Sequence, residues 1–161
     1  MPTDPDRSAP QGGQSDAGHA ALAVQIVSTL HNDPRLLIGA GVIAGHSAQQ
    51  AGLSETAQDH LAAATTQACL EVFALAGADP KSPAELNMKA SRFPDRIEIA
   101  IALSAVPAKP EAHSQRTQER GGKHPGKLLD EGLVDRVQRE TRDGRPTIVL
   151  VKYCRPVKSK V

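Results

Sequence analysis

Apolar positions recur along this chain with two periods, and the switches between them mark out its elements. "ALAVQIVSTL" carries Val24, Ile26 and Val27 among β-branched neighbours, which predicts a strand ending at "HNDP". Asp33 can accept from the backbone donors that follow, and Pro34 sits where a missing N–H does no harm, so a helix starts there. That helix, "PRLLIGAGVIAGHSAQQAG", is expected to bury Leu37, Gly41, Ala44 and Ala48, with Ile38, Val42 and Gly45 beside them. Its internal glycines each cost about 1 kcal/mol relative to alanine, which implies that another backbone packs closely against them.

A second helix opens at Ser54, with Glu55 in its first turn, and runs to about Ala76. Ala57, Leu61, Ala64, Ala68, Val72 and Leu75 recur at helical spacing, with Cys69 and Phe73 adjoining. After the turn material "GADPKSP" the period shortens to two. Leu86, Met88 and Ala90, then Ile97, Ile99 and Ile101, predict the arms of a hairpin about "PD". From Ser104 the pattern vanishes, and residues 104–127 are expected to form a mobile, lid-like loop. "KLLDEGL" reads as a short helical piece. "VDRVQRE" and "TIVLVKY" flank Asp143-Gly144, a strong hairpin signal, and Ile148 to Val151 read as a strand buried on both faces.

Strand, helix, helix, strand, strand, loop, strand, strand is the order of an α+β two-layer sandwich, with helices on one face of a single mixed or antiparallel sheet. The 161 residues fit one domain over 21–154. Residues 1–20, rich in Pro, Gly, Ser and Asp, are expected to be a disordered tail, and residues 155–161 a basic one. No internal repeat is visible.

Composition narrows the function classes. Hydrophobic residues make up 39% but aromatics only 2%, so the core must be aliphatic and alanine-rich. No apolar run reaches the length of a membrane span and the opening residues lack a signal-peptide core, so the expected location is cytoplasmic and no membrane partner is expected. Net charge is +1, with basic excess confined to the loop and the tail. That argues against nucleic acid as the main partner, although a small nucleic-acid-associated protein using those two segments is retained as a third reading. The six histidines do not fall with Cys, Asp or Glu at zinc-ligand spacing. Cys69 lies on the apolar side of the second helix, which leaves Cys154 as the candidate reactive thiol.

The second helix, "GLSETAQDHLAAATTQACLEVF", and the ending "LVDRVQRETRDGRPTIVLVKY", taken with the element order, resemble the anti-sigma-factor serine/threonine kinases of the histidine-kinase-like ATPase (GHKL) fold over about residues 22–153. In that family the second helix presents a glutamate general base and, four residues on, an asparagine that helps hold magnesium. The alignment puts Gln67 at the first position and Glu71 at the second. Gln67 cannot accept a proton, whereas Glu71 could ligate magnesium as a hard oxygen donor. Read without the resemblance, the two are a polar pair one helical turn apart on a solvated side.

The family's adenine-binding aspartate and first glycine, which follow the strand matching "IEIAIA", fall on Leu103 and Ala105. An apolar side chain there removes the base-recognising hydrogen bond. The family's glycine-rich phosphate lid corresponds to "GGKHPGKLL", with Gly121, Gly122, Lys123, Gly126 and Lys127. The resemblance therefore implies ATP and Mg2+ as ligands, while the departures at Gln67, Leu103 and Ala105 imply their loss. Two readings follow: a regulatory protein acting by protein–protein binding without nucleotide, and an active ATP-binding kinase. In both, the implied partner is a sigma factor or an anti-sigma antagonist. A homodimer through the glycine-bearing first helix is a further implication.

Overall fold

A computed structural model describes residues 24–77, 84–104 and 128–154. The tail 1–20, nearly all of the loop 104–127 and the tail 155–161 lie outside them, and with them Ala105, Gly121, Gly122, Lys123, Gly126 and Lys127.

The elements run in chain order β1 (Val24–His31), α1 (Pro34–Gln50), α2 (Glu55–Leu75), β2 (Glu85–Arg92), β3 (Arg96–Leu103), a single 3-10 turn (Glu131–Leu133), β4 (Arg136–Arg142) and β5 (Arg145–Tyr153). The strands form one sheet in the order β1-β2-β3-β5-β4, and every neighbouring pair is antiparallel. The sequence left a mixed sheet open. The two hairpins, β2-β3 and β4-β5, instead join across β3 and β5 with opposed directions.

Period two makes one sheet face apolar. Leu86 and Met88 of β2, Ile97, Ile99 and Ile101 of β3, and Ile148 and Leu150 of β5 are fully buried. Both helices cover that face, α1 over β1, β2 and β3, and α2 over β3 and β5. Thr147, Val149 and Val151, on the opposite face of β5, are also buried, as the unbroken apolar run of that strand predicted.

Local chemistry sets the boundaries. Asp33 caps α1, its side chain accepting from Arg35 N at 2.9 Å, and Ser54 caps α2 by accepting from Ala57 N at 3.4 Å. The β4-β5 turn has two residues, with φ of 52° at Asp143 and 74° at Gly144, the left-handed pair that a two-residue hairpin of native twist requires.

The glycines of α1 have different reasons. A Cβ on Gly41 would lie 2.6 Å from Thr66 Oγ1 and 2.9 Å from the Ala62 carbonyl oxygen, so here the two helix backbones do meet closely. At Gly45 the nearest atom would be Ala62 Cβ at 3.5 Å, and around Gly39 there is open space.

Three expectations change. Ile38 and Val42 do not join the buried stripe of α1 but are 63% and 65% exposed, because the stripe turns through Ala40, Ala44 and Ser47 toward the sheet. Leu75 at the end of α2 is exposed as well. The piece expected to be helical near "KLLDEGL" is one 3-10 turn, capped by the Asp130 carboxylate accepting from Gly132 N.

Candidate functional site

Helix α2 lies over β3 and β5, next to the outer strand β4, and the two polar residues singled out on it act together there. Gln67 and Glu71 are one turn apart, and both face residues 128–133. Asp130 N donates to Gln67 Oε1 at 2.9 Å, and Leu129 N donates to Glu71 Oε2 at 3.0 Å. Leu129 itself is buried in the core and anchors the segment from beneath.

Arg139 completes the arrangement. Alternation along β4 puts Val137, Arg139 and Thr141 on the helix-facing side, with Arg139 paired to the buried Ile148. Its Nε donates to Glu71 Oε1 at 2.6 Å and its Nη2 to Oε2 at 3.4 Å, while Nη1 donates to Glu131 Oε1. One guanidinium thus joins the helix, the edge strand and the 3-10 turn.

The solvated-pair reading of Gln67 and Glu71 is overturned for Glu71, which is only 6% exposed. Burial pushes its carboxyl up, but the Arg139 guanidinium and the N–H groups of Leu129 and Leu128 outweigh that and hold it below the ordinary glutamate value. Glu71 is therefore a buried anion whose counter-charge comes from the chain itself. A metal ion coordinated there would have to displace the guanidinium.

Leu103 ends β3 on the helix-facing side, opposite Leu86, and is 5% exposed within the same aliphatic core as Phe73 and Leu129. Its side chain offers no hydrogen-bond acceptor. Around α2, the acceptor oxygens of Gln67 and Glu71 are thus engaged by N–H donors, and Leu103 is packed among carbon.

Of the six sequence-derived positions outside the described residues, Ala105 follows β3 and five precede Leu128. The structure brings Gln67 and Glu71 together and puts Leu103 in the core. Sequence reasoning missed Arg139, Asp130 and Glu131. The signal for Arg139 was present in "RVQRETR", where an arginine alternates in phase with Val137 on the inward side and so demands a buried acid.

Neither cysteine is activated. Burial pushes the Cys69 thiol up to about 12, and burial together with the Asp95 charge raises Cys154, so the expected reactivity of Cys154 is not supported by its surroundings. Among the described residues no group of three or more His, Cys, Asp or Glu side chains is placed to hold a metal ion, and no helix is long and apolar enough to cross a membrane.

In comparison with known proteins, no family model matches the chain and no curated protein matches it.

Proposed function

We propose that this chain is a regulatory protein that acts by binding another protein, on a scaffold of the histidine-kinase-like ATPase type resembling the anti-sigma-factor serine/threonine kinases, with its nucleotide site converted into a structural clamp. The observation that carries the reading is the engagement of Glu71 by Arg139 and Leu129 N. Main-chain N–H groups and a guanidinium are the donors that would meet a phosphate in a nucleotide-binding relative. Here the Glu71 carboxylate takes the place of that anion. Gln67, at the general-base position, spends its carbonyl oxygen on Asp130 N, and Leu103 fills the adenine-recognising position with core.

Binding to a protein is supported by the outer side of the helix pair. Ile38 and Val42 line an open cleft of about 530 Å3 between α1 and α2, an exposure of branched aliphatic residues that a surface helix ordinarily avoids. The resemblance supplies the partner class, a sigma factor or its anti-sigma antagonist.

The test is a thermal-shift series with ATP, ADP and no nucleotide, each with and without Mg2+. The reading expects an unchanged melting temperature, since a ligand at a hundred times its Kd would add about 2.7 kcal/mol to stability. A nucleotide-specific rise of several degrees would restore the ATP-binding reading.

A further inference from the structure

The sheet face turned away from the helices carries a hollow of its own. Alternation puts Asn87 and Lys89 of β2, Ala100 and Ala102 of β3, and Arg145 and Thr147 of β5 on that face, opposite the buried Ile148 and Leu150. Register lines up Asn87, Ala102 and Thr147 in one row, and Lys89, Ala100 and Val149 in the next. The short alanines of β3 thus floor a trough between taller banks on β2 and β5. The cavity measures about 320 Å3. That is the lower end of the range for small-molecule sites, about 300–1,000 Å3.

The charges around it are unmatched. Lys89 and Arg145 are exposed, and among the described residues neither has a carboxylate within ion-pair distance. Arg145 stands directly opposite Arg142 across the β4-β5 turn, a facing of like charges that ordinarily destabilises a sheet. Glu140 engages Arg142, accepting from Nε at 3.0 Å and from Nη2 at 2.9 Å, so Arg145 is the member left uncompensated. Among the described residues one carboxylate lines the hollow, that of Asp143, against Lys89, Arg142 and Arg145.

Uncharged donors lie between the two banks. Thr147 is 2% exposed, and its hydroxyl is buried without a hydrogen-bond partner among the described residues. An orphaned buried hydroxyl is costly, so its place at this hollow points to a group supplied from outside the chain. Asn87 Oδ1 accepts from Thr29 Oγ1 at 3.4 Å, which leaves the amide NH2 group of Asn87 to donate.

We infer that this hollow binds a short-chain dicarboxylate, one carboxylate on the Arg145 guanidinium and the other on the Lys89 ammonium. The guanidinium fork takes a carboxylate through two parallel N–H···O bonds, and the ammonium meets the second as a point charge. Asn87 and Thr147, in the row between, add donors, while Ala100 and Ala102 meet the methylenes of the ligand. The two banks are separated by β3, about 10 Å at the backbone, which suits two charges joined by carbon better than one compact anion. The hollow lies across the sheet from Glu71 and from the Ile38 and Val42 cleft, and the inference stands whether or not the nucleotide site is vestigial.

Titration of the full chain with succinate, followed by amide chemical shifts, tests it. Saturable shifts are expected at Lys89, Ala100, Ala102 and Thr147, with the amides of α1 and α2 unmoved. Arg145→Gln, at an exposed position, should weaken binding by about tenfold or more, the loss of a bidentate charged pair. Asp143→Asn, which keeps a residue tolerant of the left-handed turn, should tighten binding by removing a repelling charge. Acetate and inorganic phosphate, too short to bridge both banks, should each bind about tenfold more weakly than succinate. The absence of a saturable shift at millimolar succinate would overturn the inference. So would phosphate that binds as tightly as succinate, or succinate binding that Arg145→Gln leaves unchanged.

Discussion

Arg139 Nε on β4 lies 2.6 Å from Glu71 Oε1 on α2, joining residues 68 positions apart across the edge of the sheet. Glu71 is buried and Arg139 is a third exposed at its side chain, so the pair is only partly screened by water. Removing Arg139 leaves Glu71 without its counter-charge. Arg139→Ala should destabilise the fold by about 2–4 kcal/mol, because it strands the more deeply buried carboxylate. Glu71→Ala should do somewhat less harm, since Arg139 keeps Glu131 and some solvent. In a double-mutant cycle by urea unfolding, the two changes should couple by about 1–3 kcal/mol, and strict additivity would show that the bond does not hold these elements together.

The same carboxylate makes stability depend on acid in a defined direction. Its folded-state pKa lies below the unfolded one, so unfolding takes up a proton and low pH favours it. The contribution is complete above the ordinary glutamate value and is lost as pH falls through the depressed folded value. Unfolding free energies of the wild type and of Glu71→Gln, measured across the acid range, should therefore differ most near neutrality and converge on acidification. A gap that stays constant to low pH would mean that the charge of Glu71 contributes nothing.

Glycine positions on α1 separate close packing from tolerance. Gly41→Ala drives a methyl into the Ala62 backbone and should destabilise by about 1–3 kcal/mol, as overpacking does. Gly39→Ala meets open space and should stabilise by up to about 1 kcal/mol through helix propensity. Thermal melts of the two variants should move in opposite directions; a shared direction would contradict the helix contact at Thr66 and Ala62.

An aspartate at position 103 should not be tolerated. Leu103→Asp puts a carboxylate opposite Leu86 in an aliphatic core, and the uncompensated charge should cost about 3 kcal/mol or more, without any gain in nucleotide binding. Urea unfolding with a parallel ATP titration checks both halves. A folded variant that acquires nucleotide affinity would mean that an adenine pocket still stands behind Leu103.

Much of this architecture could be read from periodicity. Asp33-Pro34, Ser54 and Asp143-Gly144 act through their own backbones, so the caps of both helices and the β4-β5 turn were legible one residue at a time. Sheet order was not, because the joining of β3 to β5 depends on which hairpin edges meet and leaves no local trace. The faces of α1 were misjudged for a related reason. Ile38 and Val42 sit at the right spacing for a core, but the buried stripe of α1 runs through Leu37, Ala40, Ala44 and Ser47, and its close approach to α2 falls at Gly41. At the candidate site, the helical spacing of Gln67 and Glu71 identified two members correctly as neighbours. Their partners came from residues 129–139, and only the tertiary fold brings Leu129 N and the Arg139 guanidinium to them.

The proposal that a nucleotide site has become a clamp is tested most directly by calorimetric titration of the full chain with ATP, in the presence and absence of Mg2+. The account predicts no binding heat at millimolar nucleotide, with or without the metal. A saturable, magnesium-dependent isotherm that is abolished by Glu71→Ala would contradict it.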